Sequence, residues 1–359
     1  MAALGLLAVA GCSDDDPDTT PRDRPLVALL ADGRLVGGTT ARLRAGMSLT
    51  GGRPMPASGR LIAQTSDPEL VAVLLAARRE VVVATARELR IRARIGLPVG
   101  RRTRPRVIVA PAPDRLVVLG DRSSRAGGRV PVGWVIDIPS RAVVTSWQVP
   151  RAPDRNWTVL DAAAASDGRR LYLSYHGGCR AGSPRACTTG ADVISWADGE
   201  PLCAARASAG CVAEIHGEVV PVDGGALATG GDHQTVLRVD TSAAVTERWR
   251  TRLDRNHLMR LAYDAAARRV FALGSCLYAG GLARIDLDGG WRWRRGLADG
   301  GRPGLCGERI AAGGGLVVFT SGPEGGGGES EITVVDGTTG AVRARLPTAA
   351  PAVDLALGE

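Results

Sequence analysis

The chain has 359 residues and carries 45 basic against 37 acidic side chains, a formal net charge of +8; every basic residue is arginine and lysine is absent. A Walker-type phosphate loop and a Schiff-base enzyme both need a lysine amine, so both are excluded. With 45% hydrophobic and 23% charged residues the composition is that of a globular chain, and the length fits one large all-β domain or two ordinary ones.

Residues 1–11 are small and apolar and Cys12 follows them. The run is too short to span a bilayer and reads as the end of a secretory signal. Val9-Ala10-Gly11-Cys12 resembles a bacterial lipobox. The resemblance implies cleavage before Cys12 and acylation of that cysteine. Residues 1–11 are then a lipoprotein signal peptide, 12–24 a polar tether and 25–359 the folded domain. No arginine precedes Cys12, so the leader reads as truncated at its basic end. The expected location is extracytoplasmic, lipid-anchored to a membrane of a bacterial cell envelope. Six further cysteines remain: Cys179, Cys187, Cys203, Cys211, Cys276 and Cys306. An even number in an exported chain points to disulfides. Fifteen pairings exist; the preferred set joins Cys179 to Cys187 and Cys203 to Cys211, leaving Cys276 with Cys306. Zinc is the rival reading, but no C-x-x-C pair occurs, and no metal site is assigned.

Beyond residue 25 short apolar runs alternate with Gly, Asp, Pro and Arg clusters, the pattern of many short strands. Glu80–Ile95, Thr235–Trp249, Leu282–Trp293 and Glu331–Leu346 each read as strand, polar turn, strand. A second hairpin precedes such segments, as in Pro111–Leu119, Ala164–Leu173 and Asp264–Leu273. Two hairpins make a four-stranded unit. Six whole units follow, over 56–99, 104–150, 155–208, 212–253, 257–298 and 304–348. Leu26–Leu30 with Arg34–Val36 at one end and Ala352–Leu357 at the other are not a unit alone. Together they complete a seventh. The expected fold is an all-β propeller of seven four-stranded blades, closed by N- and C-terminal strands in a shared blade, with six or eight blades as alternatives. Asp167–Ser174, Arg238–Trp249 and Ile332–Leu346 resemble YVTN-type and PQQ-like β-propeller repeats. That resemblance covers nearly all of 25–359. It implies architecture and not activity, because this superfold hosts many functions.

Arginine recurs with period two in the last strand of four units: Arg90, Arg92, Arg94; Arg250, Arg252; Arg292, Arg294; Arg343, Arg345. Alternation places them on one face, and on an outer strand they discourage edge-to-edge pairing. The net charge therefore reads as a solvated rim rather than a nucleic-acid surface, and no nucleic-acid motif is present. Trp147, Trp249, Trp291 and Trp293 are expected to supply bulk between sheets.

Only two asparagines occur, Asn156 and Asn256, each after Asp-Arg, and only four histidines, His176, His216, His233 and His257. The starts of first strands and the ends of second strands emerge on one face of a propeller. The Asn, the His and the proposed disulfides are all expected there. Turn chemistry explains the Asp-Arg-Asn segments locally, yet binding residues gather on loops carried by a rigid scaffold. The candidate binding face is Asn156, Trp157, His176, His216, His233, Asn256 and His257. No G-x-S-x-G elbow or H-E-x-x-H helix occurs, so no catalytic residue is assigned. Asp286-Leu-Asp288-Gly289 reads as a hairpin turn rather than a calcium loop. Quinoproteins of the PQQ-like family use a vicinal cysteine pair beside the cofactor; none exists here, and no cofactor is implied. The reading is a lipid-anchored envelope propeller acting as a monomeric binding or scaffold module. Its partners would be the membrane through the anchor and an envelope protein or small ligand, not nucleic acid. The alternative is a small-molecule enzyme, a quinoprotein-like oxidoreductase or lactonase, at the channel mouth.

Overall fold

The computed structural model describes residues 23–43, 46–50, 61–65, 67, 69–125, 127–149, 157–177, 188–203, 211–213, 215–230, 235–250, 259–274, 281–287, 290–296, 309–321 and 330–358. The described residues form seven four-stranded antiparallel sheets and no helix. The sheets are the blades of a propeller. In each blade the first strand lines the axis and the later strands step outward.

The innermost strands, in order round the ring, are Ile62–Gln64, Thr103–Ala112, Trp157–Ala164, Ile215–Val222, Met259–Asp264, Ile310–Gly313 and Ala352–Leu357. Each touches the next, and the last touches the first, so the ring is closed. The closing blade is the shared one. The C-terminal strand Ala352–Leu357 pairs with Pro25–Leu30, which pairs with Arg34–Thr39. Both termini thus hold one sheet, and neither end leaves a long free edge.

Two outer strands differ from expectation. The shared blade has a fourth strand, Met47–Ser48, of two residues. In the blade that starts at Trp157 the fourth strand is Val212–Ala213, which the sequence assigned to the following unit. Both are short segments with no alternation of their own. Their strand geometry comes from the edge they pair with.

The middle strands are buried on both faces and read as continuous Val, Leu and Ala runs: Val81–Val83 and Leu116–Leu119 are essentially inaccessible. That is the pattern of a sheet packed between two neighbours. The outer strands alternate instead. Arg90, Arg92 and Arg94 are exposed while Ala93 and Ile95 are buried; Arg248 and Arg250, and Arg343 and Arg345, are exposed likewise. Arg252 lies outside the described residues, as do the side chains of Arg292 and Arg294. Cross-strand carboxylates face some of these arginines, as in Arg94–Glu80 (3.1 Å) and Arg345–Glu331 (2.5 Å), and the outer-strand Glu247 in turn faces Arg238 of the third strand (2.8 Å).

Tryptophan fills the space between blades where glycine makes room. The Trp147 ring lies over Gly133 and Gly199, where an added Cβ would come within 2.4 and 2.7 Å of it. Gly199 has φ 76°, a conformation that favours glycine. The Trp147 indole Nε1–H donates to the Trp196 carbonyl at 2.9 Å. Trp249 packs half-buried against the next blade. The Trp291 and Trp293 side chains lie outside the described residues.

Candidate functional site

Strand pairing fixes which ends share a face. Thr158 pairs with His176, Ile215 with Gly230 and Met259 with Gly274, so the starts of inner strands and the ends of second strands emerge together. Of the seven residues of the candidate face, three are described. His176 ends a second strand and is half-buried. His216 lies in the inner strand Ile215–Val222, within a register slip between Ile215 and Val219. Trp157 also starts an inner strand, but its ring is 1% exposed and meets Tyr175 edge-on at a centroid distance of 5.6 Å. It is a packing residue in this fold. Asn156, His233, Asn256 and His257 lie outside the described residues, as do Cys12, Cys179, Cys187, Cys276 and Cys306.

Cys203 and Cys211 are joined in a disulfide. Its position differs from expectation. Pro201 bridges Ile194, the Leu202 N–H donates to the Val193 carbonyl at 2.8 Å, and the Cys211 N–H donates to Asp192 at 3.1 Å. The bond therefore clasps the outer edge of its blade, joining the two halves of a divided fourth strand. It does not stand on the loops of the candidate face. The chain has already turned at the opposite face, between Ser195 and Glu200, before it reaches Cys203.

The axial channel is a cavity of 410 Å³ walled by all seven inner strands. Its walls are mostly small or aliphatic: Ala63, Ala110, Ala163, Ala262 and Ala311 are typical. Charge is concentrated where the inner strands begin. Arg309, on the turn into Ile310–Gly313, approaches Glu218 at 3.4 Å and Asp354 at 3.7 Å, and all three are buried. Arg260 reaches the same Glu218 oxygen at 3.1 Å. The carboxylates also tie blades together. Asp354 Oδ2 accepts the Leu61 and Ile62 N–H groups at 2.5 and 2.8 Å. Glu218 Oε2 accepts Leu261 N–H at 2.7 Å. Asp161 Oδ2 accepts Val219 N–H at 3.0 Å. In each case an acid on one inner strand satisfies the channel-side amides of the next, which would otherwise be edge groups without partners. Arg309 Nε–H donates in addition to the Val353 carbonyl at 3.0 Å.

The far end of the channel carries Gln64, Ser166, Asp223 and Tyr263. Burial pushes the Tyr263 phenol upward, aided by Asp223 and opposed by Arg268. Among the described residues no group of three or more His, Cys, Asp or Glu side chains is placed to hold a metal. Sequence reasoning did not single out Glu218, Arg309 or Asp354. The available signal was a lone charge inside an apolar strand, as in Ala352–Leu357 with its single Asp354.

Fold and channel define a closed seven-bladed β-propeller with an axial cavity. No family model and no curated protein matches the chain. Solved structures do. Hydrazine synthase of Kuenenia stuttgartiensis is similar over 90% of this chain and 95% of its own at 14% identity, TM-score 0.56. Dihydro-heme d1 dehydrogenase NirN in complex with DHE matches over 93% of this chain and 65% of its own at 15% identity, TM-score 0.53. A functionally unknown protein from Desulfotomaculum acetoxidans matches over 94% and 99% at 11% identity, TM-score 0.62. At such identities the likeness is one of fold.

Proposed function

We propose that this protein is an exported, lipid-anchored β-propeller of the YVTN or PQQ-like kind that acts as a binding module of the cell envelope. The carrying observation is the Cys203–Cys211 disulfide in a chain that begins with the Val9–Cys12 lipobox pattern. Disulfides persist in oxidising compartments and are rare in the cytosol. The closed ring supports the binding role, because its strands hold face loops on a frame that does not need to move. The channel carboxylates are taken up by backbone amides and arginines, an arrangement suited to holding blades together.

Fractionation of cells carrying the full chain tests the anchor. The wild type is expected in the membrane fraction and Cys12→Ser in the soluble extracytoplasmic fraction; retention of Cys12→Ser in membranes overturns the anchor. A photo-reactive residue in place of His176 tests the binding face. Adducts are expected from that position and not from position 94 on the rim, and equal yields from both would refute a dedicated face. The channel's 410 Å³ volume, within the range of ligand pockets, supports a second reading: small-molecule chemistry at its mouth. Turnover of a quinone or lactone panel would favour that reading over the first.

A further inference from the structure

The arginines of this propeller fall into two populations. Several on the rim come with carboxylates, as in Arg94–Glu80, Arg343–Asp336 and Arg345–Glu331. On the second blade, at the face where inner strands begin, they do not. The inner strand Thr103–Ala112 starts there and Arg115–Ser123 ends there, with Thr103 opposite Arg122 and Arg104 opposite Asp121. The next strand starts at the same level, with Arg129 opposite Ser123. Neighbouring strands lie about 4.8 Å apart, so these ends and their flanking turns form one compact surface.

Seven arginines stand at this end of the blade, with Arg104, Arg106 and Arg129 on the face of Asp121, Arg122 on the other face, and Arg101, Arg102 and Arg125 in or beside the turns between. Asp121, the only carboxylate among the described residues there, is buried and already engaged by Arg106 and, at 3.7 Å, Arg129. Arg122 donates to Gln148, an uncharged acceptor. Arg101, Arg102, Arg104 and Arg125 are exposed, and their side chains make no hydrogen bond or ion pair among the described residues. One acid for seven guanidinium groups leaves a concentrated positive field, whereas the other unpaired arginines among the described residues, such as Arg42, Arg87, Arg92 and Arg141, are scattered over several blades. Like charges held on adjacent strands repel one another and destabilise the sheet, so the arrangement calls for an external counter-charge.

The geometry points to this patch as a docking surface for a phosphate-rich polyanion, gripped by guanidinium forks. Arginine's planar donors match phosphate oxygens bidentately, and several forks on a rigid edge engage successive groups of one chain. A polymer fits better than a membrane surface. The strand Pro25–Leu30 starts beside the end of Ala352–Leu357, so the segment before Pro25 leaves from the opposite face of the ring. This choice rests on the lipid anchor proposed above: a tether running from there to a bilayer would present the arginine patch away from it.

The test uses the full chain and long-chain inorganic polyphosphate, with binding followed across a salt series. Wild type is expected to bind with an affinity that falls linearly in log–log against salt. Arg101→Gln, Arg102→Gln, Arg104→Gln in combination is expected to weaken binding by about tenfold or more and to lower the salt slope by about 2–3, roughly one per contact. Arg90→Gln, Arg92→Gln, Arg94→Gln on the rim removes the same charge and is expected to leave affinity within about twofold. Equal losses from both triples would show diffuse attraction and overturn the site. Tighter binding to vesicles of anionic phospholipid, lost in the first triple, would replace the polymer with a membrane and overturn the proposal as stated.

Discussion

Asp354 is the point at which the closure of the ring can be measured. Its carboxylate is 4% exposed; it accepts the Leu61 and Ile62 amides across the junction between the last inner strand and the first, and it lies 3.7 Å from Arg309. Asp354→Ala orphans two buried donors, at about 1–3 kcal/mol each, and withdraws one of the two carboxylates facing Arg309. Breaking a buried charge pair costs about 3–5 kcal/mol by the same reasoning. The two routes describe one loss and are not summed, so about 3–5 kcal/mol is expected. Unfolding entropy near 2.1 cal/mol/K per residue, over about 335 propeller residues, gives ~0.7 kcal/mol/K and a fall in Tm of about 4–7 °C. Asp354→Asn keeps an acceptor oxygen but not the charge, and is expected to lose roughly half as much. Scanning calorimetry reads the shift, and hydrogen exchange at the Leu61 and Ile62 amides reads its location. A melting point within about 1 °C of wild type for Asp354→Ala, with unchanged exchange at those amides, would refute the latch.

Two other consequences follow from local geometry. The Cys203–Cys211 bond closes a segment with a sequence separation of 8, for which chain entropy gives about 2.5 kcal/mol; under non-reducing conditions Cys203→Ser/Cys211→Ser is therefore expected to melt about 3–4 °C below wild type, and reductant to lower its Tm by about that much less than it lowers the wild type's. An equal reductant effect in the double variant would place it elsewhere. Tyr172 is buried, and that burial, opposed by Arg170 and aided by Asp167 and Asp240, pushes its phenol up to about 12. A folded pKa above the unfolded value near 10 favours the neutral form, so its contribution is whole below pH ~10 and lost as pH rises towards about 12. Urea titrations at rising pH should show that loss in wild type and a shallower one in Tyr172→Phe; identical slopes would sink the assignment.

Much of the fold was legible because a propeller repeats its own grammar. Middle strands such as Glu80–Thr85 carry an unbroken apolar run, Val81–Ala84, and outer strands such as Ile91–Gly96 alternate, so the order of strands within a blade can be read from composition. The two-residue outer strands, Met47–Ser48 and Val212–Ala213, were not legible, since pairing partners and a disulfide make them strands. The site was harder to read for a related reason. Trp157 follows a loop in sequence, and only the sheet shows that its ring turns inward to Tyr175. Asp354 stands out in an apolar strand, but the amides it serves lie 292 and 293 residues away. The sequence pattern showed the arginines of four outer strands and not those at the end of the second blade, where Asp121 meets Arg106 and Arg129 while Arg101, Arg102, Arg104 and Arg125 have no acid among the described residues.

The rim itself changes meaning once the registers are compared. Arginine alternation suggested that charge insulates the outer edges. Five outer strands share something more general, a slip of register that leaves one residue unpaired: Arg92, Val144, Thr246, Arg292 and Arg343. Such a bulge bends and twists an edge, so that another strand cannot pair along it. Three of the five positions are arginine, but Thr246 and the exposed Val144 hold the same place without charge. The strand Ala142–Gln148 has no charged residue at all and still carries the slip. The bulge is therefore the constant device and arginine the accessory one. This frees the unpaired arginines of the second blade from any duty at the edge, since they stand at the ends of its inner strands and not on its outer strand.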